Sequence, residues 1–121
     1  MGTPEQWLQV LAWTKALFES TKAAIDLGET YEKYFHDPET IQESRRVSLS
    51  FSTYTEEEVE SLITRLKGCR DRFIQQGGGA DRSRCICSVL REAKEGNGGT
   101  LPEIDDWENI YRQLRCHRFE Q

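Results

Sequence analysis

Four cysteines, two histidines and a concentration of arginines in the second half are the side chains of this chain best suited to chemistry. Cys69, Cys85, Cys87, Cys116 and His117 raise the question of zinc, which thiolates and imidazoles bind tetrahedrally through ligands paired two to four residues apart. The closest cysteines, Cys85 and Cys87, have a single residue between them. On a helix their side chains diverge by roughly 200° and cannot converge on one ion. Cys69 and Cys85 also fall in line with apolar stripes, where cysteine behaves as a small hydrophobe. The pattern reads as buried core thiols with no metal and no cofactor; a zinc site and a disulfide or redox pair are the alternatives. The N-terminus lacks the basic-then-apolar pattern of a secretory leader, so reduced thiols are the default expectation.

Nucleophilic catalysis finds little support. In a Cys–His pair the imidazole must reach the thiol proton, but the neighbours Cys116 and His117 point about 100° apart on a helix. His36 is remote in sequence from every cysteine. The cluster Gly77–Gly79 precedes a helix whose first turn holds Arg82 and Arg84, a setting that attracts anions. No GxGxxG, no Walker lysine and no directly preceding strand accompanies it, so it reads as a flexible turn, as does Gly96-Asn97-Gly98-Gly99. A non-enzymatic protein is the expectation.

The arginines point to protein contact. Residues 61–121 hold nine Arg against two Lys, and the planar guanidinium fork pairs well with carboxylates. Residues 1–60 hold five basic against twelve acidic residues, within a formal net charge of −5. A head-to-tail meeting of acidic and basic ends, weakened by salt, follows as one form of association. The overall acidity speaks against duplex nucleic acid.

These side chains must be positioned by helices. Residues 4–35 read as one long helix: Thr3 caps it, Pro4 suits the first position and Gln6 closes a capping box. Its length would be roughly 48 Å, against a diameter of roughly 35 Å for a compact domain of this size. The helix must bend, overhang or lie on another chain, and Gly28 is the place for a bend. Trp7, Val10, Leu11, Leu17, Phe18, Ile25, Tyr31 and Phe35 form its apolar stripe, widened by Trp13, Leu27 and Tyr34, while Glu5, Lys15, Glu19 and Lys33 fall on the polar face. That polar face is too acidic for anionic lipid, and no apolar run has the length of a membrane span.

A short helix follows over 38–46. Alternation in Val47-Ser48-Leu49-Ser50-Phe51-Ser52 then predicts one minor strand at 47–52, paired near Leu101–Ile104 or with a second molecule. Thr55 and Glu58 form a second capping box, opening a helix that runs to Gln76. Shorter helices follow over about 82–95 and from Asp105 or Asp106. The segment RVSLSFSTYTEEEVESLITRL (46–66) resembles the strand-then-helix unit near the end of many pyridoxal-phosphate aminotransferase-type enzymes. The cofactor lysine and large domain of that family have no room in 121 residues, so the resemblance implies only local β–α structure.

The expectation is a single, mainly α domain over 1–121: a long N-terminal helix packed with three shorter ones and at most one minor strand. It is expected to be a cytoplasmic interaction or oligomerisation module, an adaptor or regulatory subunit that engages another protein or its own copies. The expected contacts are Trp7, Trp13, Leu27 and Tyr34 of the long helix, with Arg65 and Arg72. A small anion- or nucleotide-sensing domain or enzyme, built on the glycine turns and arginines, is the alternative.

Overall fold

Both capping boxes form. The Thr3 N–H donates to Gln6 Oε1 (3.1 Å) and the Gln6 N–H to Thr3 Oγ1 (3.2 Å). Thr55 and Glu58 exchange the equivalent bonds, at 3.2 Å each. The computed structural model describes residues 2–19, 22–51, 53–76, 80–96 and 105–119. Among them, every regular element is helical: α1 (Pro4–Glu19), α2 (Lys22–Leu27), α3 (Glu29–Phe35), α4 (Pro38–Ser50), α5 (Glu56–Gln76), α6 (Ala80–Gly96), α7 (Asp105–Gln113) and a 3-10 turn over Cys116–Phe119. The mainly α class is as the sequence implies.

The run from 4 to 35 is divided among α1, α2 and α3. Gly28 adopts a left-handed backbone (φ 74°), which breaks the helix where a bend was expected. Its N–H donates to the Ile25 carbonyl, and its own carbonyl accepts from the Glu32 N–H. Between α1 and α3 the chain reverses, and α3 lies back on α1. Tyr31 of α3 stacks on Trp13 of α1 with ring centroids 4.1 Å apart, and the Arg70 guanidinium of α5 lies 5.2 Å from the Trp13 ring. The broad apolar stripe thus finds its neighbours within the chain.

The expected strand at 47–52 is a correction: residues 38–50 form one continuous helix. Thr40, Glu43, Ser44, Val47, Ser48 and Phe51 are buried at steps of three and four, whereas Leu49 is 74% exposed. The alternation misleads because polar residues occupy part of the buried face. Ser48 Oγ donates to the Gly2 carbonyl (3.2 Å) and Ser44 Oγ to the Ile41 carbonyl (2.6 Å), so their burial carries no unpaired hydroxyl. The β–α likeness of 46–66 fails with the strand, and the proposed pairing partner at 101–104 lies outside the described residues.

Every residue from Val10 to Leu17 is buried, so α1 is enclosed all round by α3, α4, α5 and α6. At its N-terminal end Trp7 stacks on Phe51 (4.9 Å) and meets Tyr54 and Trp107 edge-on, joining α1 to the end of α4 and to α7. Lys15, assigned to the solvent face by the sequence pattern, is only 5% exposed because α4 covers it. Its ammonium pairs with Glu43 Oε2 at 3.1 Å and donates to Thr40 Oγ1 at 3.2 Å; that hydroxyl donates in turn to Asp37 Oδ2 at 2.9 Å.

The expected reduced thiols are a second correction. Cys69 of α5 bonds Cys85 of α6, and Cys87 of α6 bonds Cys116, with Cα atoms 5.8 and 5.2 Å apart. The divergence of Cys85 and Cys87 that rules out a shared metal is what sends them to different neighbours. By the chain-entropy account, their loops of 16 and 29 residues make the two bridges worth about 3 and about 3.5 kcal/mol.

Two predictions follow from this packing. Cys69→Ser/Cys85→Ser and Cys87→Ser/Cys116→Ser should lower unfolding free energy by about 2–4 kcal/mol each in urea titrations, and alkylation of unreduced protein should label none of the four cysteines. Lys15→Met should cost about 3–5 kcal/mol because it strands the Glu43 carboxylate, whereas Lys15→Met/Glu43→Leu should restore most of that loss.

Candidate functional site

Helices α5 and α6 lie side by side, joined by Cys69–Cys85, and between them runs a groove of about 500 Å³. Arg65, Gly68, Cys69 and Arg72 form its α5 wall; Arg84, Cys85, Ser88 and Val89 form its α6 wall. Among the described residues, the walls hold three cations and no carboxylate. Arg65 is held in place by Glu92 and Ser88 of α6. Arg72 is exposed and makes no ion pair or hydrogen bond among the described residues. Elsewhere in the basic half, Arg82 and Lys94 are drawn over the Phe73 and Tyr111 rings.

Gly68 is the unusual member of this wall. A glycine inside a helix is about 1 kcal/mol less favourable than alanine, so packing or backbone geometry normally requires it. Gly28 has its left-handed backbone, and a Cβ on Gly2 or Gly96 would collide with Val59 or Tyr54 respectively. Among the described residues, a Cβ on Gly68 would meet nothing within 4 Å, and its φ is not positive. Nothing among the described residues requires the side chain to be missing.

A second hollow of about 210 Å³ lies beside the buried Lys15–Glu43 pair. Phe18, Tyr34, Glu19, Asp37 and Glu39 are among its walls, so it is acidic where the α5–α6 groove is basic.

The structure separates the expected contact residues. Trp7, Trp13 and Tyr34 are core side chains with 0, 5 and 7% exposure; the two tryptophans offer almost no surface, and Tyr34 is a wall of the acidic hollow. Leu27, 71% exposed on α2, stays outside the groove. Arg65 and Arg72 are brought together on one wall, and Arg84 joins them from α6. Gly68 and Ser88 carried no signal beyond the oddity of a glycine within a helical pattern. The turn Gly77–Gly79 lies outside the described residues.

The groups considered for catalysis are dispersed. All four cysteines are in disulfides, so none supplies a thiolate. His36 is exposed and 3.3 Å from Glu32, and His117 is exposed on the 3-10 turn. Among the described residues, no group of three or more His, Cys, Asp or Glu side chains is placed to hold a metal ion. No described helix is long and apolar enough to cross a membrane.

The back of α6 is anchored by Tyr54, whose hydroxyl donates to the Glu92 carbonyl at 3.0 Å and sits 3.4 Å from that of Ala93. Burial, then the charges of Glu58 and Glu95, raise the Tyr54 pKa above 10.0; burial and Glu32 do the same for Tyr31. No protein family, curated protein or solved structure matches this chain.

A folded-state pKa above the unfolded value means stability that is complete below pH 10 and is lost as pH rises through the folded pKa. Tyr54→Phe should cost about 1 kcal/mol at pH 7, from the lost hydrogen bond. It should also make the fall in stability above pH 10 shallower than in the wild type, as measured by urea unfolding across pH.

Proposed function

We propose that this protein is a non-enzymatic interaction module, an adaptor or regulatory subunit, that docks a partner protein in the groove between α5 and α6. The observation that carries this reading is Gly68: an exposed, helix-interior glycine with open space above it, set in the groove beside Arg72. A bare stretch of helix backbone at fold-stability cost, flanked by arginines, suits the close approach of a second chain. The groove replaces the face of α1 as the contact surface, because that face is enclosed by the protein's own helices.

Two disulfides joining α5, α6 and the 3-10 turn favour an oxidising compartment over the cytoplasm as the place of action. Self-association remains the second form of this reading. It is supported by the contrast between the basic groove and the acidic hollow beside Lys15, which a second copy would bring together.

Affinity purification with Arg72→Glu beside the wild type tests the reading. A central interface arginine is worth about 2 kcal/mol or more, so a partner recovered with the wild type should be depleted at least about tenfold with the variant, at unchanged melting temperature. Light scattering across concentration and salt identifies self-association. A protein that is strictly monomeric and yields no partner, or only partners indifferent to Arg72→Glu, overturns the proposal.

A further inference from the structure

We infer that Cys85 is a mixed-disulfide site: the Cys69–Cys85 bridge exchanges with an anionic low-molecular-weight thiol of the glutathione class, while Cys87–Cys116 stays closed. The inference concerns the bridge itself and stands whether or not a partner docks in the groove.

The two bridges differ in what surrounds them. Cys87 and Cys116 are 2% and 1% exposed, so both ends of that bridge are covered. Cys69 is covered to the same degree, at 1%, but Cys85 is only partly buried. Both ends of the first bridge line the α5–α6 groove, and neither end of the second is among the residues that line it. Exchange requires a thiolate to reach one sulfur of a disulfide, so access selects both the bridge and the end attacked. Gly68 widens that access. It precedes Cys69 on the same wall, and among the described residues the space at its vacant Cβ position is open.

Charge selects the thiol. Arg65 lies four residues before Cys69 and Arg72 three residues after it, so all three share one face of α5. Arg65 is engaged by Glu92 and Ser88 of α6. Arg72 is exposed and makes no ion pair or hydrogen bond among the described residues. A guanidinium one helical turn from Cys69 attracts a thiolate that also carries carboxylates. It stabilises the Cys69 thiolate released by exchange as well, and a leaving thiol of lower pKa departs faster.

The chemistry balances in two steps. The incoming thiol gives its proton to solvent, and its thiolate attacks Cys85 Sγ. A mixed S–S bond forms there as the Cys69–Cys85 bond breaks, and the electron pair leaves on Cys69 Sγ. Return attack by Cys69 expels the thiol and restores the bridge. Attack by a second thiolate on the adduct sulfur instead frees Cys85 and releases the thiol as its own disulfide, so two thiols are oxidised and one cystine is reduced. The structural consequence is local: α6 loses its link to α5 and keeps its link to Cys116.

Timed reduction of the folded, oxidised protein by glutathione, with acid quenching, alkylation and peptide mass spectrometry, provides the test. Free thiols should appear at Cys69 and Cys85 at least about tenfold faster than at Cys87 and Cys116. With oxidised glutathione, Cys69→Ser should take up the adduct on Cys85 faster than Cys85→Ser takes it up on Cys69. Arg72→Glu should slow reduction of the wild-type bridge by glutathione at least about threefold. It should slow reduction by cysteamine less, because the ammonium of that reagent offsets its thiolate charge. Thiols that appear at all four cysteines together, or first at Cys87 and Cys116, overturn the exchange site. Equal uptake by the two serine variants overturns Cys85 as the point of attack. Equal slowing of both reagents by Arg72→Glu, or of neither, overturns the anionic thiol as the reactant.

Discussion

The ammonium of Lys15 sits in the interior of the molecule, and the arrangement of the N-terminal half follows from the need to keep it paired. A helix with every position from Val10 to Leu17 buried has no solvent face left. A charge on such a helix must meet an opposite charge and further hydrogen-bond partners, or be lost to solvation cost. Glu43 supplies the charge, Thr40 accepts from the ammonium, and Asp37 accepts in turn from Thr40. All three come from α4 or the residue that precedes it, so α4 is held against α1 in one rotational setting. That setting also turns Val47 and Phe51 inward and leaves Leu49 outside.

The same enclosure explains what the sequence conveyed and what it concealed. The capping boxes at Thr3 and Thr55 were legible because they depend on residues three apart and on no tertiary contact. The break at Gly28 was half legible. A glycine marks a weak point, but only the stacking of Tyr31 on Trp13 shows that α3 lies back on α1. Segment 47–52 was misread because apolar periodicity assumes that buried positions are apolar. Ser44, Ser48 and Thr40 are buried with their hydroxyls bonded, which restores the helical period that the apolar residues alone do not show.

The cysteines show a related limit. Spacing established that Cys85 and Cys87 point apart, and this was sufficient to exclude a shared metal ligand set. It carried no information about what stood on either side of α6. Cys69 and Cys116 occupy those places because α5 and the 3-10 turn pack on different flanks of the same helix. Disulfide pairing is a tertiary fact, and α6 is the element that two covalent links hold in place.

That tethering bears on the groove. One wall belongs to α5 and the other to α6, so a partner would feel any sliding of the two helices as a change in groove width. The Cys69–Cys85 bridge ties α5 to α6, Arg65 of α5 reaches Glu92 and Ser88 of α6, and Tyr54 bonds α6 at the Glu92 carbonyl. A surface fixed in advance gives up less conformational entropy when a partner arrives. The rigidity is therefore concentrated around the position where the helix itself is weakest, at Gly68. A helix under no outside demand would gain stability from alanine there, and nothing among the described residues stands in its way. Under the proposed docking, tethered walls around a vacant Cβ position act as one device, in which the fold ties the two helices together and the space above Gly68 receives another chain.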